Sequence, residues 1–449
     1  MNTYPGLAGW AEPAQRVLML AYHYPPENKV GAMRPHRFAR YLERRGHAVS
    51  VVAADLPRSE KGAARVVGAS GAQHPGPTAR CSAAALRLVE RHLMPCRDYL
   101  PWVPHAVAAA AGIAAEPGHV VFSTSPPLAT HLAALALKWS RGLPWIADFR
   151  DPFWGNPTRT ARRASAMDPV LERLIFQNAD AVIANTDAVA ALWSRRYPRW
   201  ADKIHLIWNG YDPDDRIEPL PRDEARAQRR ISHVGALYAD RTPLPVASSL
   251  DRLLAAGALP PGSVQLRLIG PVEDRARRDL DAPALRRLAG EGHLHVEART
   301  VPQAEAREEM LRADWLLLLD LNDNHPGLQV PAKLFDYARS GRPILALTNP
   351  GSATERVLER SGVLHACIDP ASSPAAMDAQ LASFLRQPAR ESAPSRAFWA
   401  EFDARRQTAT LARLVRAVAG PAAGRLAVPV AGLQASLRPG PSGRETFAT

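Results

Sequence analysis

Two short stretches of this chain gather groups able to hold a phosphate and to move a proton. In Val330-Pro331-Ala332-Lys333-Leu334-Phe335-Asp336 the proline suits the first turn of a helix, where a missing N–H costs no hydrogen bond. A helix starting at Pro331 turns free N–H groups and the positive end of its dipole toward an anion. Lys333 and Asp336 are three apart and share one face, either as ligand-facing groups or as an ordinary i,i+3 ion pair. In Asp148-Phe149-Arg150-Asp151 two carboxylates flank a guanidinium. Either acid could orient a hydroxyl or take its proton on approaching within about 3 Å. Either could instead pair with Arg150 and shape the loop. Two glycine turns add candidates: Gly31, where backbone can approach closely, ahead of Arg34, and Gly235 ahead of Arg241. Trp154 and Trp102 could line a pocket, although packing is the commoner fate of such rings.

These candidates follow short apolar runs that read as buried strands. Val17 to Leu20 is one such run, a helical pattern ends at Gly46, and Val49 to Ala53 resumes the strand. Strand, helix, strand in that order predicts a parallel sheet. The rhythm continues with strands at 119–122, 145–147, 181–184 and 204–207 and helices at 129–141 and 187–196. An Asp- and Pro-rich stretch from Tyr211 to Glu224 reads as a linker and hinge. Beyond it, strands at 231–234, 266–269, 293–296, 315–319 and 344–347 alternate with helices at about 246–256, 276–289, 303–312 and 331–340. The chain therefore divides into a first α/β domain over 14–215, a linker over 216–228 and a second α/β domain over 229–390. Residues 391–418 follow as an amphipathic C-terminal helix, which either returns to the first domain or packs within the second. Leu56 to Ala79 reads as a long loop, and 419–449, rich in Pro, Gly and Ala without periodicity, as a disordered tail. In open parallel sheets ligands bind beyond the carboxyl ends of the strands, which is where the candidates stand.

Composition narrows the partners. The 449 residues are 46% hydrophobic and 22% charged, a globular balance for two or three domains. Residues 1–200 carry 24 basic and 14 acidic side chains, against 32 and 30 in the remainder. A basic first domain suits an anionic substrate or an anionic membrane surface. No Lys/Arg block or aromatic-interleaved motif points to nucleic acid. Three widely spaced cysteines imply neither a disulfide framework nor a zinc site. No secretory leader and no span of about 20 apolar residues is seen, so a cytoplasmic protein, peripheral at the inner face of a membrane, is expected.

The order of Asp148-Phe149-Arg150-Asp151-Pro152, Asn209-Gly210-Tyr211-Asp212 and the segment from Pro331 to Pro343 resembles glycosyltransferase family 4, over about Val17 to Pro370. That resemblance implies a GT-B fold: two Rossmann-like domains facing a central cleft. It implies transfer of a sugar from a nucleotide-sugar, with retention, to a glycan or lipid-linked acceptor. Gly235, Arg241, Val330, Pro331, Lys333 and Asp336 would lie on the donor side, with Asp336 on the ribose hydroxyls and Arg241 on the diphosphate. Gly31, Arg34, Arg150 and Trp154 would lie on the acceptor side, and Asp148, Asp151 and Arg241 would serve catalysis. No metal and no cofactor is expected, the nucleotide-sugar being a substrate. The chain departs from the family pattern at three places: Leu328 stands at the first acid of E-x7-E, Ala236 at a second basic residue, and Arg150 at a histidine. Those departures keep two alternatives open, a non-catalytic GT-B scaffold and a nucleotide-sugar 2-epimerase.

Overall fold

A computed structural model describes residues 14–25, 30–54, 65–69, 77–92, 98–156, 159, 162–218, 220, 223, 226–238, 241–321, 327–387 and 390–420. Of the tail expected over 419–449, Ala419 closes the last helix and the residues after 420 lie outside the described residues. The first domain runs β1 Arg16–Leu20, α1 Val30–Glu43, β2 Ala48–Ala53, β3 Arg65–Gly68, α2 Pro77–His92, α3 Val103–Ile113 and β4 His119–Ser125. It continues with α4 Ala129–Arg141, β5 Trp145–Phe149, α5 Arg162–Asn178, β6 Ala181–Ala184, α6 Asp187–Arg196 and β7 Ile204–Leu206. The second runs β8 Arg229–Val234, α7 Leu244–Ala255, β9 Val264–Ile269, α8 Asp274–Leu280, α9 Pro283–Gly290, β10 Leu294–Glu297, α10 Gln303–Arg312 and β11 Trp315–Leu319. It ends with α11 Lys333–Ser340, β12 Ile344–Leu347, α12 Ala353–Ser361, β13 His365–Ile368 and α13 Pro374–Arg386, before α14 Arg396–Glu401 and α15 Ala404–Ala419.

Both sheets are parallel. The first is ordered β3-β2-β1-β4-β5-β6-β7 and the second β10-β9-β8-β11-β12-β13. Chain order reverses beside β1 in one sheet and beside β8 in the other. At such a reversal neighbouring loops leave in opposite directions and open a crevice. Gly31, expected in a turn, instead lies in the first turn of α1; it and the Gly235 loop stand at these two crevices.

Burial explains the strands. Every residue of β4, β5, β6, β11 and β12 is buried, as expected of a sheet covered by helices on both faces. The stretch read as one loop over 56–79 instead contains β3 and the start of α2. At the sheet edge β3 has one exposed and three half-buried residues, so it lacks an apolar signature. The single helix expected over 276–289 is two, α8 and α9, because Pro283 opens a new first turn.

The chain then crosses back. Leu411, Ala412, Leu414, Val415 and Val418 of α15 share one buried cluster with Val17, Met19, Phe122 and Ile146 of the first sheet. The crossing is fixed at the linker, where Tyr211 N–H donates to the Phe402 carbonyl at 3.0 Å and Ala404 N–H to the Tyr211 carbonyl at 3.1 Å. Phe398 and Phe402 pack with Phe335 of the second domain and with Tyr211 and Trp208 of the linker region. Two further contacts tie the domains: Thr186 Oγ1 donates to the Leu328 carbonyl at 2.8 Å, and Arg356 pairs with Asp187 at 2.6 Å. Phe402 is fully buried at this junction. We predict that Phe402→Ala costs about 3–5 kcal/mol in chemical denaturation; a loss below about 1 kcal/mol would show that the crossing does not hold the domains.

Candidate active site

A cleft of about 810 Å³ separates the two sheets. Gly235, Arg241, Val330, Pro331, Lys333 and Asp336 line one wall, and Gly31, Arg34, Arg150 and Asp151 line the other.

The second-domain wall is built from the ends of β8 and α11. Gly235 follows β8 with φ at +129°, a conformation that side chains resist. A Cβ there would lie 2.5 Å from Lys333 Nζ, so the glycine makes room for the amine. Lys333, the first residue of α11, sits two positions past the proline that was expected to open the helix. Pro331 instead belongs to the preceding turn, its carbonyl accepting from Leu334 N–H at 2.9 Å. The Lys333 amine hydrogen-bonds His233 Nε2 at 3.1 Å, and His233 Nδ1 meets the Leu317 carbonyl at 3.0 Å. Asp336 does not pair with Lys333; it pairs with Arg339 at 3.2 Å, and its side chain is 53% exposed.

Arg241 is 7% exposed and lies 4.7 Å above the Tyr238 ring. Its Nη1 donates to the Tyr238 hydroxyl at 2.7 Å, and its buried Nε has no partner among the described residues. Buried donors are normally satisfied, so an unsatisfied guanidinium nitrogen beside a cleft points to an anion from outside.

The first-domain wall corrects two expectations. Asp148, expected as a catalytic candidate, is fully buried and does not line the cleft. Its carboxylate accepts from Arg34 Nε at 3.0 Å, Arg34 Nη2 at 2.8 Å and Thr124 Oγ1 at 2.8 Å. Arg34, 3% exposed, also donates to the Ile207 and Trp208 carbonyls, both at 2.8 Å. This clasp fastens α1 to the ends of β5 and β7, so Arg34 borders the cleft with its donors already engaged. Trp154, expected on the acceptor side, does not line the cleft; Arg196 lies 4.0 Å over its ring. The sequence shows a tryptophan near a strand end but not which way the loop turns it. Trp102 is buried in the core.

Arg150 and Asp151 do reach the cleft. Arg150 Nε donates to the Ser125 carbonyl at 3.0 Å and Nη2 to the Pro126 carbonyl, and its guanidinium occupies the space a Gly31 side chain would fill. Burial pushes the Asp151 carboxyl above its ordinary value, against the opposing pull of Arg150 and Arg241. Asp151 is thus the carboxylate of its loop that a substrate could meet.

Three further cleft residues, Arg37, Tyr238 and Arg307, escaped sequence reasoning. Arg37 stands one turn after Arg34 on α1, a spacing that could have revealed it. The linker aspartates are clamped from both sides. Asp212 accepts from Tyr41 at 2.6 Å and from Arg40, Asp214 pairs with Arg44, and Asp215 is held by Arg307 of the second domain. Leu328, which packs against the first-domain core, brings no carboxylate, and its carbonyl accepts from Thr186.

Residues 33–215 match the family described as Glycosyltransferase Family 4. The match spans most of the first domain. The architecture of the whole chain is the GT-B fold. Sucrose-phosphate synthase from Thermosynechococcus elongatus superposes with a TM-score of 0.65 at 14% identity, covering 90% of this chain and 98% of its own. An α,α-trehalose-phosphate synthase (UDP-forming) from Burkholderia vietnamiensis gives 0.60 at 15%, covering 91% and 99%. Anabaena HepE in complex with UDP-glucose gives 0.59 at 13%, covering 90% and 100%. At these identities the likeness is one of fold. No curated protein matches the sequence. The buried Arg34–Asp148 pair carries its own prediction. Asp148→Ala leaves a guanidinium buried without its partner and is expected to cost about 3–5 kcal/mol of stability. Unchanged denaturation with turnover abolished would return Asp148 to catalysis.

Proposed function

We propose that this glycosyltransferase takes a nucleotide-sugar donor in the second-domain wall and an acceptor hydroxyl against the first. The observation that carries the reading is the Arg241 guanidinium, buried with an unpartnered Nε and sharing one cleft with Lys333 and Asp336. A sugar diphosphate supplies the missing anion. Arg241 and Lys333 would face its phosphate oxygens and stabilise the charge that grows on the leaving group. Asp336, one turn into α11 and open to the cleft, would accept from the ribose hydroxyls. Asp151 would orient the acceptor, being the carboxylate that the opposite wall presents beside Arg150. Two cationic side chains can carry the diphosphate charge without a metal ion, and family resemblance favours retention at the anomeric carbon.

A uridine diphosphate sugar is the first donor to test, since the similar HepE structure holds UDP-glucose and the similar trehalose-phosphate synthase is UDP-forming. For the acceptor we favour a lipid-linked or surface-polysaccharide precursor at the cytoplasmic leaflet, on the excess of basic side chains in residues 1–200. Among the described residues no helix is long and apolar enough to cross a membrane, so attachment there would be peripheral. The absent carboxylate at Leu328 gives the binding-subunit reading its support. Tight nucleotide binding with no sugar release on any acceptor pool would favour that reading. A donor altered in the absence of acceptor would favour an epimerase.

The test is a thermal-shift series with UDP-, GDP- and dTDP-sugars, because a ligand of the native state raises its melting temperature. One class is expected to raise it, and Asp336→Ala to weaken that binding. Arg241→Ala is expected to lower turnover about 10²–10³-fold, beyond its effect on donor affinity. No shift with any nucleotide would overturn the proposal. For the membrane, flotation with anionic liposomes is expected to recover the protein at low salt and lose it at high salt; recovery at neither would exclude attachment.

A further inference from the structure

Lys333 is an unusual cation. Among the described residues its amine has no carboxylate partner; the group it meets is a neutral ring, His233 Nε2 at 3.1 Å. The Leu317 carbonyl, a pure acceptor 3.0 Å from Nδ1 of the fully buried His233, draws the ring proton there, and the Ala236 carbonyl is a second acceptor at the ring; with the proton on Nδ1, Nε2 offers its lone pair to the amine. Gly235 passes 2.5 Å from the amine at its missing Cβ position, which shuts that side to other partners. Lys333 also opens α11, where the helix dipole is positive and disfavours an ammonium.

From this arrangement we infer that Lys333 rests on His233 as a largely uncharged amine and takes up a proton from solvent when a nucleotide-sugar diphosphate binds. The amine gains one proton, becomes an ammonium and turns from the imidazole lone pair to a phosphate oxygen, while His233 stays neutral. The inference rests on the donor reading above. Burial and the neighbouring Arg241 hold the Lys333 amine well below the ordinary lysine range, and burial together with Lys333 holds His233 well below its own. The charged groups that share this wall are Arg241 on the β8–α7 loop, Asp336 on α11 and Arg307 on α10, with buried Asp320 behind Arg241 at the end of β11; Arg37, Arg150, Asp151, Asp212 and Asp215 face them across the cleft. Asp336 pairs with Arg339, and the Asp151 carboxyl feels the charges of Arg150 and Arg241, so neither is a partner of Lys333.

The sign follows from linkage. A group whose proton is held more tightly in the complex makes affinity rise as pH falls between its bound and free values, and level off below the free value. UDP-glucose is the probe, because its diphosphate diester has no group that titrates near neutrality. Calorimetry of the full chain in Pipes and in Tris, whose ionisation enthalpies differ widely, is expected to show net uptake of up to about one proton per nucleotide. Lys333→Arg keeps the charge at every pH, so it is expected to bind with no proton uptake and a flat pH profile. Lys333→Met is expected to lose the uptake and much of the affinity. In a ¹⁵N spectrum the His233 ring is expected to report the Nδ1–H form, with an Nε2 signal that moves on binding. Heats independent of buffer, equal uptake in all three proteins, or an Nε2 signal unmoved by the nucleotide would overturn the inference while leaving the donor site standing. Failure of UDP-, GDP- and dTDP-glucose alike to bind would overturn both.

Discussion

A guanidinium buried at the end of β8 with one nitrogen unsatisfied among the described residues is the constraint around which the cleft is arranged. Removing a cation from water without giving it a counter-charge is unfavourable, and proteins ordinarily pair such groups or let them lose their charge. Arginine keeps its charge under ordinary conditions, and Arg241 is buried against Tyr238 with Nε unsatisfied among the described residues. Lys333 leans on an imidazole instead of a carboxylate. On the proposed reading, the wall is complementary to the diphosphate of a donor. Binding of that anion recovers interactions that folding leaves unmade, as a preorganised electrostatic site requires.

The remaining architecture keeps this wall opposed to its partner. Reversal of strand order beside β1 and β8 opens each sheet where the loops carry their functional groups. The first-domain wall is rigid because the Arg34–Asp148 clasp joins α1, β5 and the chain leaving β7. That clasp shows how two charged residues can border a cleft and serve the fold. The domains are held in register by α15 lying across the first sheet and by the aromatic cluster around Phe402. The linker aspartates, gripped by arginines from both domains, complete the hinge. A closing motion of the domains would exclude water from the reacting centre and limit donor hydrolysis.

Much of the fold was legible because buried parallel strands are short continuous apolar runs with turn residues after them. β6, β11, β12, α4, α6 and α10 fall at the residues the pattern marks. Where the fold was not legible, the physical signal was weak: β3 is a half-exposed edge strand, α5 holds Pro169 inside it, and β13 is half-buried over three of its four residues. At the site, sequence showed that Lys333, Asp336 and Arg241 follow strands and share helical or turn spacing. It could not show that Asp148 points into the sheet while Asp151, three residues on, points into the cleft. Nor could it show His233, a strand residue whose role depends on the Leu317 carbonyl in the neighbouring strand.

The most direct test is a crystal structure with UDP-glucose bound. The account predicts diphosphate density within hydrogen-bond distance of Arg241 and Lys333, with the ribose beside Asp336. A diphosphate seated elsewhere, with Arg241 still against Tyr238 and Lys333 still on His233, would contradict it.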